Sequence, residues 1–196
     1  LDADGDRFVV GGDAVKVYEF SSGSWSQLGN NISINDYTNS DGIQINNAGN
    51  IVLAAFEPSA SAPSGSQTIL RAYEWSSGSW QQLGGDIASF DPDDYAGRMG
   101  SVGINNEGTI VAIGISGDDD NGNSSGKVQV FEYSSNSWSQ KGQDLKGTNA
   151  SDQFGQVLSL SGDGSTLGIF SAVYADNPIT GRVLFYKFSQ DLSNWE

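Results

Sequence analysis

Polar and apolar positions alternate along this chain in short runs of period two, broken every few residues by Gly, Ser, Asn or Asp. The run Val15-Lys-Val-Tyr-Glu-Phe20 sets Val15, Val17 and Glu19 on one side and Lys16, Tyr18 and Phe20 on the other, the signature of a β-strand. A Ser-Ser-Gly-Ser turn and a second strand, Trp25-Ser-Gln-Leu-Gly29, follow it. The same phrase returns at 70–84 and 128–142 and, more loosely, at 183–195. Tyr18 and Tyr73 are 55 positions apart, Tyr73 and Phe131 58, and Phe131 and Tyr186 55, a period that belongs to repeat architectures.

Ahead of each aromatic strand lies a second repeated block: an alternating strand, a turn centred on Gly, then a more continuously apolar strand. Copies run over 42–55, 100–113 and 155–170, and the chain opens inside another at Leu1-Asp-Ala-Asp4-Gly5-Asp6. Ala48-Gly49, Glu107-Gly108 and Asp163-Gly164 between apolar runs are hairpin signals, since Gly accepts the positive φ of such turns. Each unit reads as strand A, hairpin, strand B, a variable loop, strand C, a Ser/Gly turn and strand D starting at Trp. The predicted fold is an all-β propeller of about four four-stranded antiparallel blades, over 1–36, 37–94, 95–151 and 152–196, either closed on itself or a section of a larger ring. With one side of strand C aliphatic and the other aromatic, both sides are expected to be covered by neighbouring blades.

Composition narrows the function. A formal charge of −15 with nine Lys and Arg supplies no basic patch for phosphates, which argues against nucleic acid and anionic membrane surfaces. The chain has no Cys and no His, so disulfides, thiol chemistry and the commonest general base are absent. No apolar run is long enough to span a bilayer, and no signal peptide is visible.

The densest acidic cluster is Asp118-Asp119-Asp120-Asn121-Gly122-Asn123, in the loop between strands B and C of the third unit. Oxygen ligands at alternate positions around a Gly turn are what Ca²⁺ takes, so Asp118, Asp119, Asp120, Asn121 and Asn123 are the candidate metal ligands, set beside the reading as a solvated polar loop. Asp2-Ala-Asp4-Gly5-Asp6 aligns with the hairpin turns, and the acidic stretch from Ser89 to Tyr95 is read as a polar connection between blades. The recurring Trp25, Trp80, Trp138 and Trp195 admit two readings, sugar stacking or packing of strand D against the sheet. Nothing marks a catalytic residue.

Several of these motifs resemble the FG-GAP-like propeller repeats of integrin α-chain heads and of many secreted bacterial and algal proteins. The resemblance is carried by Asp152-Gln-Phe154-Gly155, Asp163-Gly164, Gly181-Arg-Val183-Leu-Phe-Tyr and Gly126-Lys-Val128-Gln-Val-Phe-Glu-Tyr133. In the earlier units only the glycine of the Phe-Gly element is kept, at Ser40-Asp41-Gly42 and Arg98-Met99-Gly100. The resemblance implies a propeller, an extracellular or cell-surface setting and, as in integrin-type blades, Ca²⁺-binding loops. The expectation is therefore a secreted, non-enzymatic recognition or structural propeller. Its B–C loops, 56–68, 116–126 and 171–181, would meet a protein or glycan partner, and further blades of a parent chain or an oligomer would complete the ring. A carbohydrate-binding lectin is the alternative, and a glycan-acting enzyme a lesser one.

Overall fold

The computed structural model describes residues 1–94, 96–97, 101–173 and 180–196, so the Arg98-Met99-Gly100 remnant and most of the 171–181 loop lie outside the described residues. The fold is all β, a partial propeller of four antiparallel sheets. The first sheet holds β1 (Arg7–Val10), β2 (Lys16–Ser21) and β3 (Ser24–Gln27). The second orders β4 (Tyr37–Ile45), β5 (Ile51–Pro58), β6 (Thr68–Ser76) and β7 (Ser79–Gln82), with β8 (Ala88–Phe90) also on β6. The third orders β9 (Val102–Ile104), β10 (Ile110–Ile115), β11 (Lys127–Ser134) and β12 (Ser137–Gln140), with β13 (Leu145–Lys146) also on β11. The fourth runs β14 (Val157–Leu160), β15 (Thr166–Val173), β16 (Thr180–Ser189) and β17 (Asn194–Trp195). A short 3₁₀ turn, Pro92–Asp94, lies between β8 and β9.

Each hairpin is closed by a polar side chain at one repeated position. Asp2 Oδ1 accepts the backbone N–H groups of Gly5, Asp6 and Arg7 at 3.0–3.1 Å. Asn46 Oδ1 does the same for Asn50 and Ile51, Asn105 Oδ1 for Thr109 and Ile110, and Ser161 Oγ for Thr166. These are side-chain-capped turns that satisfy donors the tight loop would otherwise leave unpaired. The Asp2–Asp6 segment is such a turn, as its alignment with the others implied.

Strand D departs from the simple expectation, because it is broken in two. After β7 the chain passes Gly84 at a φ of 72° and pairs again as β8, and after β12 it passes Gly142 at 77° before β13. In the first sheet Gly29, at 75°, precedes the Val15–Ile32 bridge. The break has a cause in the next sheet, whose aromatic pair packs on the glycine. A Cβ on Gly29 would run into the Trp75 ring, and one on Gly84 would lie 3.1 Å from the Tyr133 and Trp138 rings. One on Gly142 would lie 2.8 Å from Trp195. The glycine of Trp-x-Gln-Leu-Gly thus meets two demands at once, a left-handed turn and a ring stacked on the backbone.

The cores lie between sheets, and the second and third sheets each contribute their two faces to different cores. Val15 and Val17 of the first sheet pack with Val52, Ala54, Phe56 and Tyr73 of the second. From the opposite face of the second, Leu53, Ala55, Leu70 and Ala72 meet Val102, Ile104, Val111, Ile113 and Phe131 of the third. Ala112, Val128 and Val130 then meet Leu158, Leu167 and Ile169 of the fourth. Strand alternation delivers this directly, and strands β5 and β10 are consequently buried along nearly their whole length. The sheets also join at their hairpins: Ala3 N–H donates to the Asn47 carbonyl, Asn46 Nδ2 to the Asn106 carbonyl, and Asn106 N–H to the Gly162 carbonyl.

Candidate functional site

Because all four sheets run antiparallel and their A–B hairpins are hydrogen-bonded side by side, the described parts of the B–C loops and the D–A connections gather at the opposite end. That end carries the chemistry that does not repeat. The β5–β6 connection folds on Asp36, whose carboxylate accepts from Ser61 Oγ at 3.0 Å and whose carbonyl accepts from the Ser59 N–H at 2.8 Å. Beside it opens a polar cleft of about 290 Å³ lined by Tyr37, Gln67, Ile69, Asp86 and Ser89. Asp86 is committed to the Arg71 guanidinium, through contacts at 2.5 and 3.1 Å.

The acidic loop ahead of β11 is built inward rather than open. Asp118 is buried and its carboxylate lies 2.5 Å from Lys127 Nζ, while Asp120 lies 2.9 Å from Lys146 Nζ and 3.7 Å from Lys127 Nζ. Asp119 Oδ1 accepts the Ser124 N–H at 2.7 Å and so closes the turn around Gly122. Asn121 donates its side-chain amide to the Gly147 carbonyl, and the Asn123 carbonyl accepts the Ser151 N–H. Of the five residues read as calcium ligands, Asp118 and Asp120 share one lysine pair, Asp119 serves the loop backbone, and Asn121 and Asn123 tie the loop to the following D–A connection. Among the described residues no group of three or more acidic side chains converges as a metal set. In this structure the Lys127 and Lys146 ammonium groups pair with the carboxylates of Asp118 and Asp120.

Lys127 and Lys146 are the site residues the sequence reading missed. The signal was present but weak: basic residues on β11 and β13, next to one another in the sheet, facing an acidic loop. Burial pulls the Lys127 ammonium down, but the Asp118 hydrogen bond and the surrounding carboxylates outweigh it, and its pKa is raised overall. The Lys146 hydrogen bond holds Asp120 below the usual carboxylate range. Asp94, in the 3₁₀ turn of the acidic connection, is raised by burial and by the charges of Asp118 and Asp91.

The Asp152-Gln-Phe154-Gly155 element forms the joint between the third and fourth sheets. Asp152 is buried, accepts the N–H groups of Thr148 and Asn149 at 3.0 Å, and meets Arg182 Nη2 at 3.0 Å. Phe154 sits in the core of that joint, and its backbone forms a parallel bridge with Gly126 at the end of the acidic loop. Gly155 crosses the backbone of Gly114, where a Cβ would collide with its carbonyl. This motif, which the resemblance singled out, therefore anchors the loop end to the scaffold.

The repeated tryptophans belong to the seams. Trp80, Trp138 and Trp195 donate their indole N–H groups at 2.9 Å to the carbonyls of Leu28, Leu83 and Lys141, each on the preceding unit. Trp80 and Trp195 are buried, while Trp25 is half exposed against Phe8 and Phe20. Packing thus accounts for three of the four.

Hydrogen-bonded carboxylates at both ends of the fold make stability depend on acid. The pKa values of Asp86 and Asp120 lie below their ordinary 3.8 in the folded chain, by hydrogen bonds from Arg71 and Lys146, and that of Asp163 falls to about 2 through Ser161 and Ser165. A depressed carboxylate stabilises the fold above the unfolded pKa and loses that contribution as pH falls. The melting temperature is expected to hold near neutrality and to fall as pH drops from 3.8 towards 2, with a shallower fall in Asp86→Asn. A pH series of thermal melts checks both.

No family model matches the chain, and no curated protein matches it. Among solved structures, a proposed 6-phosphogluconolactonase from Bacteroides uniformis superposes with a TM-score of 0.58 at 10% identity, over 100% of this chain and 51% of its own length. An ancestral GH74 enzyme superposes with 0.55 at 13% identity, over 100% of this chain and 26% of its own. The tricorn protease gives 0.56 at 8% identity, over 100% of this chain and 21% of its own. The chain therefore spans about half or less of each of these proteins, and what it shares with them is the β-propeller fold.

Proposed function

We propose that this chain is a non-enzymatic recognition module of FG-GAP-like repeats, acting outside the cell or at its surface, whose loop end docks a basic protein partner. The observation that carries the reading is the division of labour in the fold. Hairpins, seams and strands repeat from sheet to sheet, whereas the B–C and D–A connections differ in length and composition and stand together at one end. A rigid scaffold with varied loops at one end is the arrangement of a binding surface. Asp36, Asp91, Asp93 and Asp119 lie exposed there, and the chain's formal charge is −15, so the complementary partner is positively charged.

The carboxylates at this end hold lysines, two arginines and backbone N–H groups, which suits recognition better than acid–base work. A lectin reading would draw on exposed aromatic rings, and three of the four repeated tryptophans are engaged at seams.

The test uses polylysine as the basic probe, with binding followed by titration calorimetry at low and high salt. Replacing Asp36, Asp91, Asp93 and Asp119 together by Asn, which keeps the oxygen acceptors, is expected to weaken binding by about tenfold or more. Replacing Asp4, Asp6, Glu107 and Asp191 at the opposite end by their amides removes the same charge and is expected to change it little. Equal losses in both variants would show attraction to overall charge alone and overturn the assignment to the loop end.

A further inference from the structure

The polar cleft on the second sheet stands on a frame that the third sheet also builds. In the second sheet Arg71 on β6 and Gln82 on β7 both donate to the Asp86 carboxylate. In the third, Gln129 on β11 and Gln140 on β12 both donate to Asp144. The residues that pair just beyond this frame differ: Ile69 stands opposite Ser89 in the second sheet, and Lys127 opposite Lys146 in the third.

That difference decides what becomes of the adjoining loop. The two lysines of the third sheet reach Asp118 and Asp120 and so tie down their own B–C loop. The second B–C loop is tied to Asp36 instead, through Ser59 and Ser61, and the space beside Ile69 and Ser89 is the cleft of about 290 Å³. Every residue that lines it lies between Tyr37 and Ser89, within the second unit.

The walls offer hydrogen bonds without net charge. Arg71 cancels the charge of Asp86, and its two contacts with that of Gln82 take three of the roughly four lone pairs of the carboxylate, which leaves about one for a ligand. The Tyr37 phenol, the Gln67 amide and the Ser89 hydroxyl also line the cleft, and among the described residues none of the three makes a side-chain hydrogen bond within the protein. Donors and acceptors are therefore both on offer, with Ile69, Ala88 and the ring of Tyr37 as apolar surface beside them. A charged ligand would surrender its water for a pair already neutralised, whereas a ligand rich in hydroxyls exchanges water for partners in kind. The volume lies at the low end for ligand sites and suits one ring rather than a chain.

We infer that this cleft binds one unit of a neutral sugar, its hydroxyls hydrogen-bonded to Asp86, Gln67 and Ser89 and its apolar face against the ring of Tyr37. The site uses neither the repeated tryptophans, which serve the seams, nor the exposed aspartates of the loop end. It stands whether or not the partner at those aspartates is basic.

Saturation-transfer NMR followed by titration, with the methyl glycosides of glucose, galactose and mannose as probes, tests this. At least one of the three is expected to bind with a dissociation constant of about 1 mM, the strength a single small ring reaches through a few hydrogen bonds. Gln67→Ala and Ser89→Lys alter exposed residues, so circular dichroism and melting should persist. Gln67→Ala is expected to weaken binding ~5-fold, by the loss of one amide. Ser89→Lys, which copies the lysine of the third sheet into the cleft, should weaken it by at least ~10-fold. Gln140→Ala, on the matching frame of the third sheet, should leave it unchanged. No transfer to any of the three glycosides, or binding untouched by both cleft variants, would overturn the inference. Methylguanidinium bound in the same cleft more tightly than every glycoside would also overturn it, and would give the space to an arginine side chain of a basic partner.

Discussion

Phe154→Ala is expected to lower the unfolding free energy by ~3–5 kcal/mol, the usual cost of emptying a buried aromatic site. Phe154 is 1% exposed and packs with Val128, Val130, Leu158 and Leu167, its ring edge-on to Tyr186 with centroids 6.2 Å apart. The site cannot collapse to fill the void, because its backbone is fixed on both sides: the Phe154 N–H donates to the Ser125 carbonyl at 3.1 Å, and the next residue crosses Gly114. Urea unfolding should show a lower midpoint with little change in slope. Val157→Ala, three residues on but half exposed, should cost less than ~0.5 kcal/mol. A small effect at Phe154 would mean that the third and fourth sheets are not joined through this element.

The second large effect is expected at Lys127. Its ammonium lies 2.5 Å from the Asp118 carboxylate, whose side chain is 6% exposed. Lys127→Met keeps much of the stem and its packing but leaves a buried carboxylate without its partner, which costs ~3–5 kcal/mol in comparable buried pairs. Asp118→Asn in the Lys127→Met background removes the stranded charge and should recover most of the loss. A double-mutant cycle on the two positions reads the coupling directly. Additive effects would show that the loop is held by its backbone hydrogen bonds alone. Lys146→Met, whose ion pair with Asp120 is open to water, should cost under ~1 kcal/mol.

These two positions also mark how far the sequence could be read. Phe154 stands in a recognisable element, and its side chain is where an aromatic residue ahead of a conformationally special glycine would be looked for. Lys127 gave little warning. It falls among alternating residues of a strand, and only the pairing of β11 with β13 brings Lys146 beside it and both against Asp118 and Asp120. A loop of oxygen ligands and a loop of ion-paired carboxylates look the same in one dimension, because the lysines that pair with the carboxylates come from 7 to 28 residues away, across the sheet. The tryptophans show the reverse case. Their recurrence was plain, but stacking on a sugar and packing at a seam differ only in where the indole N–H points, and that is set by the neighbouring sheet.

Local chemistry by itself determined the strands and their hairpins, though not the split of strand D that the neighbouring sheet imposes. Alternation of period two and glycines at positive φ act over a few residues and need no distant partner to be legible. The same alternation implied that both faces of a sheet would be covered. What only the tertiary structure decided is which groups meet: the lysines that neutralise the acidic loop and the carbonyls that receive the indoles. Those outcomes depend on contacts between residues distant in the chain, from the neighbouring strands that bring the lysines to the acidic loop to the indole–carbonyl bonds 52 to 55 positions apart, where the sequence carries no local signal of its neighbour.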